Sequence, residues 1–337
     1  MPLRISFSLK KVAMVYMNLL EEIKAAKSIG IAGHIRPDGD CAGSCLALYH
    51  YLRQALSEEV IIDLYLESIS DKFNITEDVS KIKQDNEKNM NYDVFIALDS
   101  GSLDRLGFAA EFFEKAEKTI NIDHHISNTK FAKVNHVLDN ASSTCEVLYD
   151  LFDEAKIDVV TAKALYLGII HDTGVFKHSN TTEKTMNIAG RLIAKGIPFS
   201  EMIDDTFYRK NYRQNQILGR CLLESILLLH GTCIVSSISK RMLEFYDAAA
   251  SDLDGIIDQL RITEGVEVAI LIYESDFHQH KVSMRSNGIV DVRKIASYFG
   301  GGGHIKAAGC TMHGTLHDVV NNLTPHIEHQ LKHNTGE

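Results

Sequence analysis

No apolar run in this 337-residue chain approaches the roughly 18 residues needed to cross a bilayer, so no helical membrane span is expected. The short stretch VAMVYM follows Arg4, Lys10 and Lys11, but it is too short for a secretory signal and lacks a small-residue cleavage site; a cytoplasmic protein is the expectation. The six cysteines (41, 45, 145, 221, 233 and 310) include no C-x-x-C pair. That excludes the usual zinc fingers and suits reduced thiols. Positive charge is also scarce, with 35 Lys and Arg against 45 Asp and Glu and a net charge of −10. A protein that coats long DNA or RNA needs many cationic contacts to phosphate, which this balance disfavours. A small anionic substrate held by a few local cations remains compatible. Internal repeats and low-complexity segments are absent, and the 45% apolar content suits an ordinary globular chain of about two domains.

What the chain does have, in its first half, is alternation. SIGIAGH (28–34), VIIDLYL (60–66), DVFIALDS (93–100) and TINIDHH (119–125) read as strands, separated by helical patterns such as the one from about Cys41 to Ala55. This predicts an α/β fold with an open, mainly parallel, doubly wound sheet covered on both faces. Helical patterns continue through SSTCEVLYDLFDEA and DVVTAKALYLGIIHDTG, and 182–229 reads as almost wholly helical, a connector. After Gly231, TCIVSSIS, VEVAILIYE and HKVSMRS predict strands, followed by a helix near Val292–Tyr298 and a run of glycines. A second, smaller α/β domain is expected there.

The polar residues of the first half gather where such a sheet binds ligands, beyond the carboxyl ends of its strands. The first strand leads into GHIRPDGD, with His34, Asp38 and Asp40; the third ends at Asp99; the fourth ends in Asp123, His124 and His125; HDTG, with His171 and Asp172, closes a helical run. Singly, each has an ordinary explanation. Asp38-Gly39-Asp40 makes a good turn and helix cap, and a lone strand-end aspartate is commonly a turn residue. Four such clusters at equivalent points ask for a joint cause. Crowded carboxylates raise each other's pKa unless a cation neutralises them. A mixed carboxylate and imidazole set suits Mn²⁺, with Mg²⁺, Fe²⁺ or Co²⁺ as alternatives, better than it suits thiolate-bound zinc. Two such ions about 3.5–4 Å apart, held by roughly six or seven donors, can align a water with a phosphorus atom.

In order and spacing, GHIRPDGDCAGS, ALDSGSLDRLG, NIDHHISNTKF and IIHDTGVFKHSNTT resemble the motifs of the DHH phosphoesterase superfamily, and SMRSNGIVDVRKIASYFGGGGHIKAAGCTM resembles the glycine-rich signature of its DHHA1 companion domain. The resemblance covers about residues 18–335. It is nearest to the branch of bifunctional oligoribonucleases that also remove the 3′-phosphate from 3′-phosphoadenosine 5′-phosphate, to which DLDGIIDQLRITEGVEVAILIYE is similar. It implies an N-terminal extension at 1–17, a catalytic metal-binding domain at 18–190, a helical linker at 191–230 and a substrate-binding domain at 231–337. By the family's motifs, His34 and Asp38 would bind one Mn²⁺, Asp40, His124 and Asp172 would bind the second, and Asp99 would bridge them. Asp123 would orient a ligand imidazole. His125 would face the reacting phosphate, stabilising charge or protonating the leaving oxygen. Arg36 stands where Asn is common and Lys177 lies where members differ; neither is a ligand, but both bear on substrate preference.

In the second domain, Arg285, Ser286 and Asn287 end a strand, and Gly301, Gly302 and Gly303 precede His304. Glycines allow close backbone approach and present unhindered N–H groups to phosphate. The segment resembles the DHHA1 nucleotide clamp, in which Arg285 and His304 would hold a non-scissile phosphate or terminal nucleotide. Arg105 would contact phosphate from the first domain. The partners implied are short RNA oligonucleotides and small nucleotides, with no long nucleic acid and no membrane; a homodimer is left open. The expected reaction is metal-dependent hydrolysis of short RNA to nucleoside 5′-monophosphates, with 3′-dephosphorylation of the adenosine bisphosphate. A phosphodiesterase for cyclic di-AMP or linear dinucleotides is the alternative. A nucleotide-binding module without turnover is disfavoured by the complete ligand set, and a family II pyrophosphatase by RSNG and GGGH.

Overall fold

The computed structural model describes residues 17–75, 77–85 and 90–334, so the extension expected at 1–17 lies, apart from Met17, outside the described residues. The chain divides into two compact units between Arg209 and Lys210.

The first unit is built on six strands: β1 Ser28–Ala32, β2 Ile61–Tyr65, β3 Ile82–Lys83, β4 Val94–Leu98, β5 Lys118–Asp123 and β6 Val134–Val137. Their order is β3-β2-β1-β4-β5-β6, with every neighbouring pair parallel. β1, β4 and almost all of β5 are buried, which is why they read as continuous apolar runs. One face of the sheet, with Ile29, Ile31, Ile96, Leu98, Ile120 and Ile122, packs under the helices Gly39–Ala55, Thr144–Leu151 and Val159–Asp172. The other face, with Ala32, Phe95 and Ala97, packs on Tyr65, Tyr92, Phe112 and Phe113. Strand order runs outward in one direction from β1 and in the other from β4. The switch point between them is where a doubly wound sheet opens a crevice. β3 and β6 were not legible in the sequence, because short, half-buried edge strands carry little pattern.

Two glycines let the helices converge on that crevice. A β-carbon on Gly43 would lie 2.6 Å from the Ala164 carbonyl, and one on Gly168 would lie 2.4 Å from the Asp40 carboxylate. Glycine is required there by proximity, against its poor helix propensity.

The second unit holds β7 Ile226–Leu228, β8 Cys233–Ile238, β9 Val268–Asp276, β10 Gln279–Ser286, β11 Gly302–His304 and β12 Ala307–His313. The order is β11-β12-β10-β9-β8-β7, parallel only between β8 and β9. Val235, Ile270, Ile272 and Met284 face the helices Val292–Tyr298 and Leu316–Asn334, whereas Ile234, Ala269 and Leu271 face Ile217, Cys221 and Leu260.

Residues of the segment expected as a helical linker belong to one core or the other. Ile193, Ile197 and Met202 pack into the first core, while Ile217 and Cys221 belong to the second. The helical reading of 182–229 also fails at Ile226–Leu228, which pair with β8 as an edge strand. Among the described residues, no helix is long and apolar enough to cross a membrane.

Candidate metal centre

His34 lies just past β1, Asp99 directly after β4, and Asp123, His124 and His125 at and beyond the end of β5. Parallel pairing in register brings these ends together at the switch point. Asp38 caps the helix Gly39–Ala55, its carboxylate accepting from the N–H groups of Asp40 and Cys41 at 3.1 Å each. Asp172 is the last residue of the helix Val159–Asp172. Asp99 sits at a positive φ of 51°, a left-handed conformation uncommon outside glycine and typical of strain held at functional sites.

The distances draw one connected cluster. His34 Nε2 lies 3.7 Å from Asp38 Oδ2 and 3.5 Å from Asp99 Oδ2. His124 Nε2 lies 3.0 Å from Asp172 Oδ2, 3.6 Å from Asp99 Oδ1 and 3.9 Å from Asp40 Oδ2. Asp99 therefore stands between two groups, one containing His34 and Asp38 and the other containing His124, Asp40 and Asp172. Three sets of donors could each hold a metal ion: His34, Cys41 and Asp99; Asp99, His124 and His125; and Asp40, His124 and Asp172.

The electrostatics carry the mark of crowded anions. Burial and the neighbouring charges of Asp99 and Asp172 push the Asp40 carboxyl well above its ordinary range. Asp172 is raised by burial, with Asp99 adding to it against the His124 hydrogen bond. The imidazoles shift in the direction that answers this charge. Against desolvation, hydrogen bonds to Asp38 and Asp99 raise His34, and those to Asp172 with the charges of Asp40 and Asp99 bring His124 to about 10. Asp38 falls to about 2: desolvation opposes this, and the His34 hydrogen bond prevails. Cations in the cluster would supply the compensating charge that these crowded carboxylates require. The donor set fits divalent ions.

Asp123, expected to orient a ligand imidazole, bonds the ring of His125. It is fully buried, and its Oδ1 accepts from His125 Nδ1 at 2.7 Å while Oδ2 accepts from Asn128 at 2.6 Å. The imidazole it aligns is the partly exposed His125, whose Nδ1 also lies 3.6 Å from Asp99. That hydrogen bond raises the His125 pKa.

Several supporting groups were not foreseen. The N–H groups of Thr144 and Cys145, at the start of a helix, donate to Asp40 at 2.6 and 3.0 Å, and the Thr144 hydroxyl donates to Asp99 at 3.0 Å. Ser143 caps that helix, so SSTCE signals a helix start but not what it faces. Arg105 is exposed near the β1 end, its carbonyl accepting from the Ile35 N–H at 2.7 Å, and among the described residues its guanidinium has no carboxylate partner.

In the second unit the structure divides the expected substrate residues. Arg285 and His304 both pair with Ala307, from the strands on either side of β12, and so present their side chains on one face of the sheet. Ser286 and Asn287 are turned to internal work. The buried Ser286 hydroxyl donates to Glu267 at 2.8 Å, and Asn287 bonds the Val266 carbonyl at 2.7 Å and Arg261 at 2.8 Å. Glu267 itself fills the ring of N–H groups from Gly288, Ile289 and Val290. Among the glycines, a β-carbon on Gly301 would meet the Gly309 carbonyl at 2.2 Å and one on Gly303 the Ala307 carbonyl at 2.5 Å, whereas Gly302 faces open space. Two of the three therefore serve strand packing.

A doubly wound sheet that gathers carboxylates and imidazoles at its switch point, followed by a second sheet domain, defines a two-domain α/β class of protein with a candidate site for divalent metal ions. Residues 28–169 match the DHH family, N-terminal domain, and residues 231–332 match the DHHA1 domain. The chain is 30% identical to the bifunctional oligoribonuclease and PAP phosphatase NrnA of Thermus thermophilus, over 88% of this chain and 89% of that protein. It is 28% identical to the Bacillus subtilis protein of the same name, over 88% and 92%. A crystal structure of an exopolyphosphatase-related protein from Bacteroides fragilis shares the fold, with a TM-score of 0.82 at 23% identity, over 94% of this chain and 95% of that one. The chain belongs to the DHH family with a DHHA1 domain, and it is a phosphoester hydrolase.

Proposed function

We propose that this enzyme hydrolyses short RNA oligonucleotides to nucleoside 5′-monophosphates and removes the 3′-phosphate of 3′-phosphoadenosine 5′-phosphate, with two Mn²⁺ ions as cofactors. The observation that carries the reading is Asp99, set between two separate donor groups so that one carboxylate can serve both. The two relatives named for these activities align along nearly their whole length, which supports the substrate class. His34 and Asp38 would hold one ion, Asp40, His124 and Asp172 the other, with Asp99 shared. An imidazole in each group favours Mn²⁺ over Mg²⁺ or Ca²⁺. Bound there, the ions would supply Lewis acidity at the phosphate and lower the pKa of water.

The chain's own contribution to proton transfer falls to His125. With Nδ1–H donated to Asp123, Nε2 is left to hold a proton toward the leaving oxygen, and the Asp123 hydrogen bond favours that protonated form by raising the pKa. Arg285 and His304, on one face of the sheet with β12 between them, are the groups to hold a second phosphate or the terminal nucleotide, and Arg105 offers a cation near the β1 end.

A competition assay tests this. A diribonucleotide, the adenosine bisphosphate and cyclic di-AMP are offered together at equal concentration with Mn²⁺, and products are followed in time. Preferential turnover of the first two supports the proposal; dominance of the cyclic substrate makes the enzyme a cyclic-dinucleotide phosphodiesterase instead.

A further inference from the structure

We propose that Tyr208 forms a nucleobase subsite beside the metal cluster, with its ring as a stacking platform and Lys72 as an accessory cation; this rests on the reading above that the substrates are nucleotides. The helix Phe199–Ile203 passes into a single wide turn, Asp204–Tyr208, closed by the Arg209 N–H donating to the Asp204 carbonyl at 2.6 Å. Such π-type turns break the α-helical register and recur at functional sites. Here the break sorts three successive side chains. Thr206 is buried and its hydroxyl meets His171 Nε2 at 3.1 Å. The Phe207 ring lies 5.5 Å from the His171 ring, and the Tyr208 ring lies 5.2 Å from Phe207 in an edge contact. Tyr208 itself is 59% exposed.

His171 ties this series to the site. It precedes Asp172, and a β-carbon on Gly39 would lie 2.3 Å from its ring, so the ring underlies the Asp38-Gly39-Asp40 turn. Phe73 packs against His171 at 5.0 Å. Aromatic rings thus run from beneath the metal cluster to the surface, ending at Tyr208. Among the described residues the Tyr208 hydroxyl has no hydrogen-bond partner, so neither burial nor hydrogen bonding accounts for a tyrosine there. The neighbouring charge is suited to phosphate. Lys72 adjoins Phe73 and acts electrostatically on His171, yet among the described residues it has no carboxylate partner. Arg209, by contrast, is committed to Asp205 at 2.6 Å. An exposed ring for base stacking with a cation on the facing segment Asp71–Phe73 is the chemistry of single-stranded nucleotide binding. A base sits one ribose away from its phosphate, so its platform belongs beside the metals and not upon them.

The test is a cycle between the ring and the base. Full-length wild-type, Y208A, Y208F and Y208W proteins are assayed with Mn²⁺ on a diribonucleotide and on two analogues, each lacking one base. Y208A should raise KM for the intact substrate about tenfold with kcat within about twofold, whereas Y208F and Y208W stay near wild type. For one abasic analogue, wild type and Y208A should have equal KM. A dinucleotide carrying 2-aminopurine at that position should lose fluorescence on binding wild type but not Y208A. K72Q should raise KM about threefold and weaken its salt dependence. The subsite is overturned if Y208A leaves KM unchanged on an active enzyme, or if it costs as much on both abasic analogues as on the intact dinucleotide. A wild-type protein that cleaves no diribonucleotide overturns the functional reading, and the subsite with it.

Discussion

The Asp40 carboxylate is gripped by the first two N–H groups of the helix Thr144–Leu151, from Thr144 at 2.6 Å and Cys145 at 3.0 Å. The start of a helix favours an anion. Burial and the charges of Asp99 and Asp172 disfavour it more strongly, and the carboxyl is raised. The same helix start also donates the Thr144 hydroxyl to Asp99. One capped helix therefore fixes a proposed ligand from each of two elements before any cation arrives.

Asp99→Ala should abolish activity on every substrate, because it removes the donor common to both groups. Thr144→Val should be milder, weakening metal affinity about 10- to 100-fold through loss of the orienting hydroxyl. Metal content by mass spectrometry after dialysis, beside kcat on a diribonucleotide, separates the two. Retained activity in Asp99→Ala would refute the shared-ligand assignment.

Asp123→Asn bears on proton transfer. The Asp123 hydrogen bond raises the His125 pKa, so its loss lowers that pKa toward the ordinary histidine value. A general acid must be protonated to act, so the alkaline limb of the kcat profile should move to lower pH in Asp123→Asn and vanish in His125→Gln. An unmoved limb would assign the proton to another group.

His50 offers a stability test away from the site. It bridges Asp78, 2.6 Å from Nδ1, and Asp158, 3.1 Å from Nε2, while Gln54 also reaches Asp158 at 2.8 Å. The Asp78 hydrogen bond raises its pKa, with desolvation opposing and Asp158 assisting. A raised pKa means that the stabilisation is fully present below the unfolded value, near pH 6.5, and is lost as pH rises through the folded one. His50→Gln should cost about 2 kcal/mol at pH 6. In urea unfolding, the gap from wild type should narrow as pH rises through the folded-state pKa; a gap that widens contradicts the charged bridge.

Arg285→Ala and His304→Ala should raise KM for nucleotides about 10-fold or more while leaving slow hydrolysis of a small phosphodiester intact. Equal loss on both substrates would show that the second unit does more than hold nucleotide.

The central strands and the metal-ligand candidates were legible in the amino-acid sequence for a common reason. A parallel sheet buried on both faces demands unbroken apolar runs, and a polar cluster at the end of each run stands out against them. SIGIAGH and TINIDHH show this directly, although His124 and His125 fall just beyond β5. Where local pattern is weak or has two uses, only the tertiary structure decided. Ile226–Leu228 read as helix because a three-residue edge strand has no period of its own. SSTCE announced a capped helix, but its grip on Asp40 depends on how that helix packs. Asp123 could have aligned either following histidine, and chain direction beyond β5 selected His125. Ser286 and Asn287 follow Arg285 in a polar run that suited ligand contact, yet their neighbours in space, Glu267, Val266 and Arg261, claim their hydrogen bonds. Residue types and spacing specified which chemistry the chain can perform; the packing of distant elements specified which of those side chains are free to perform it.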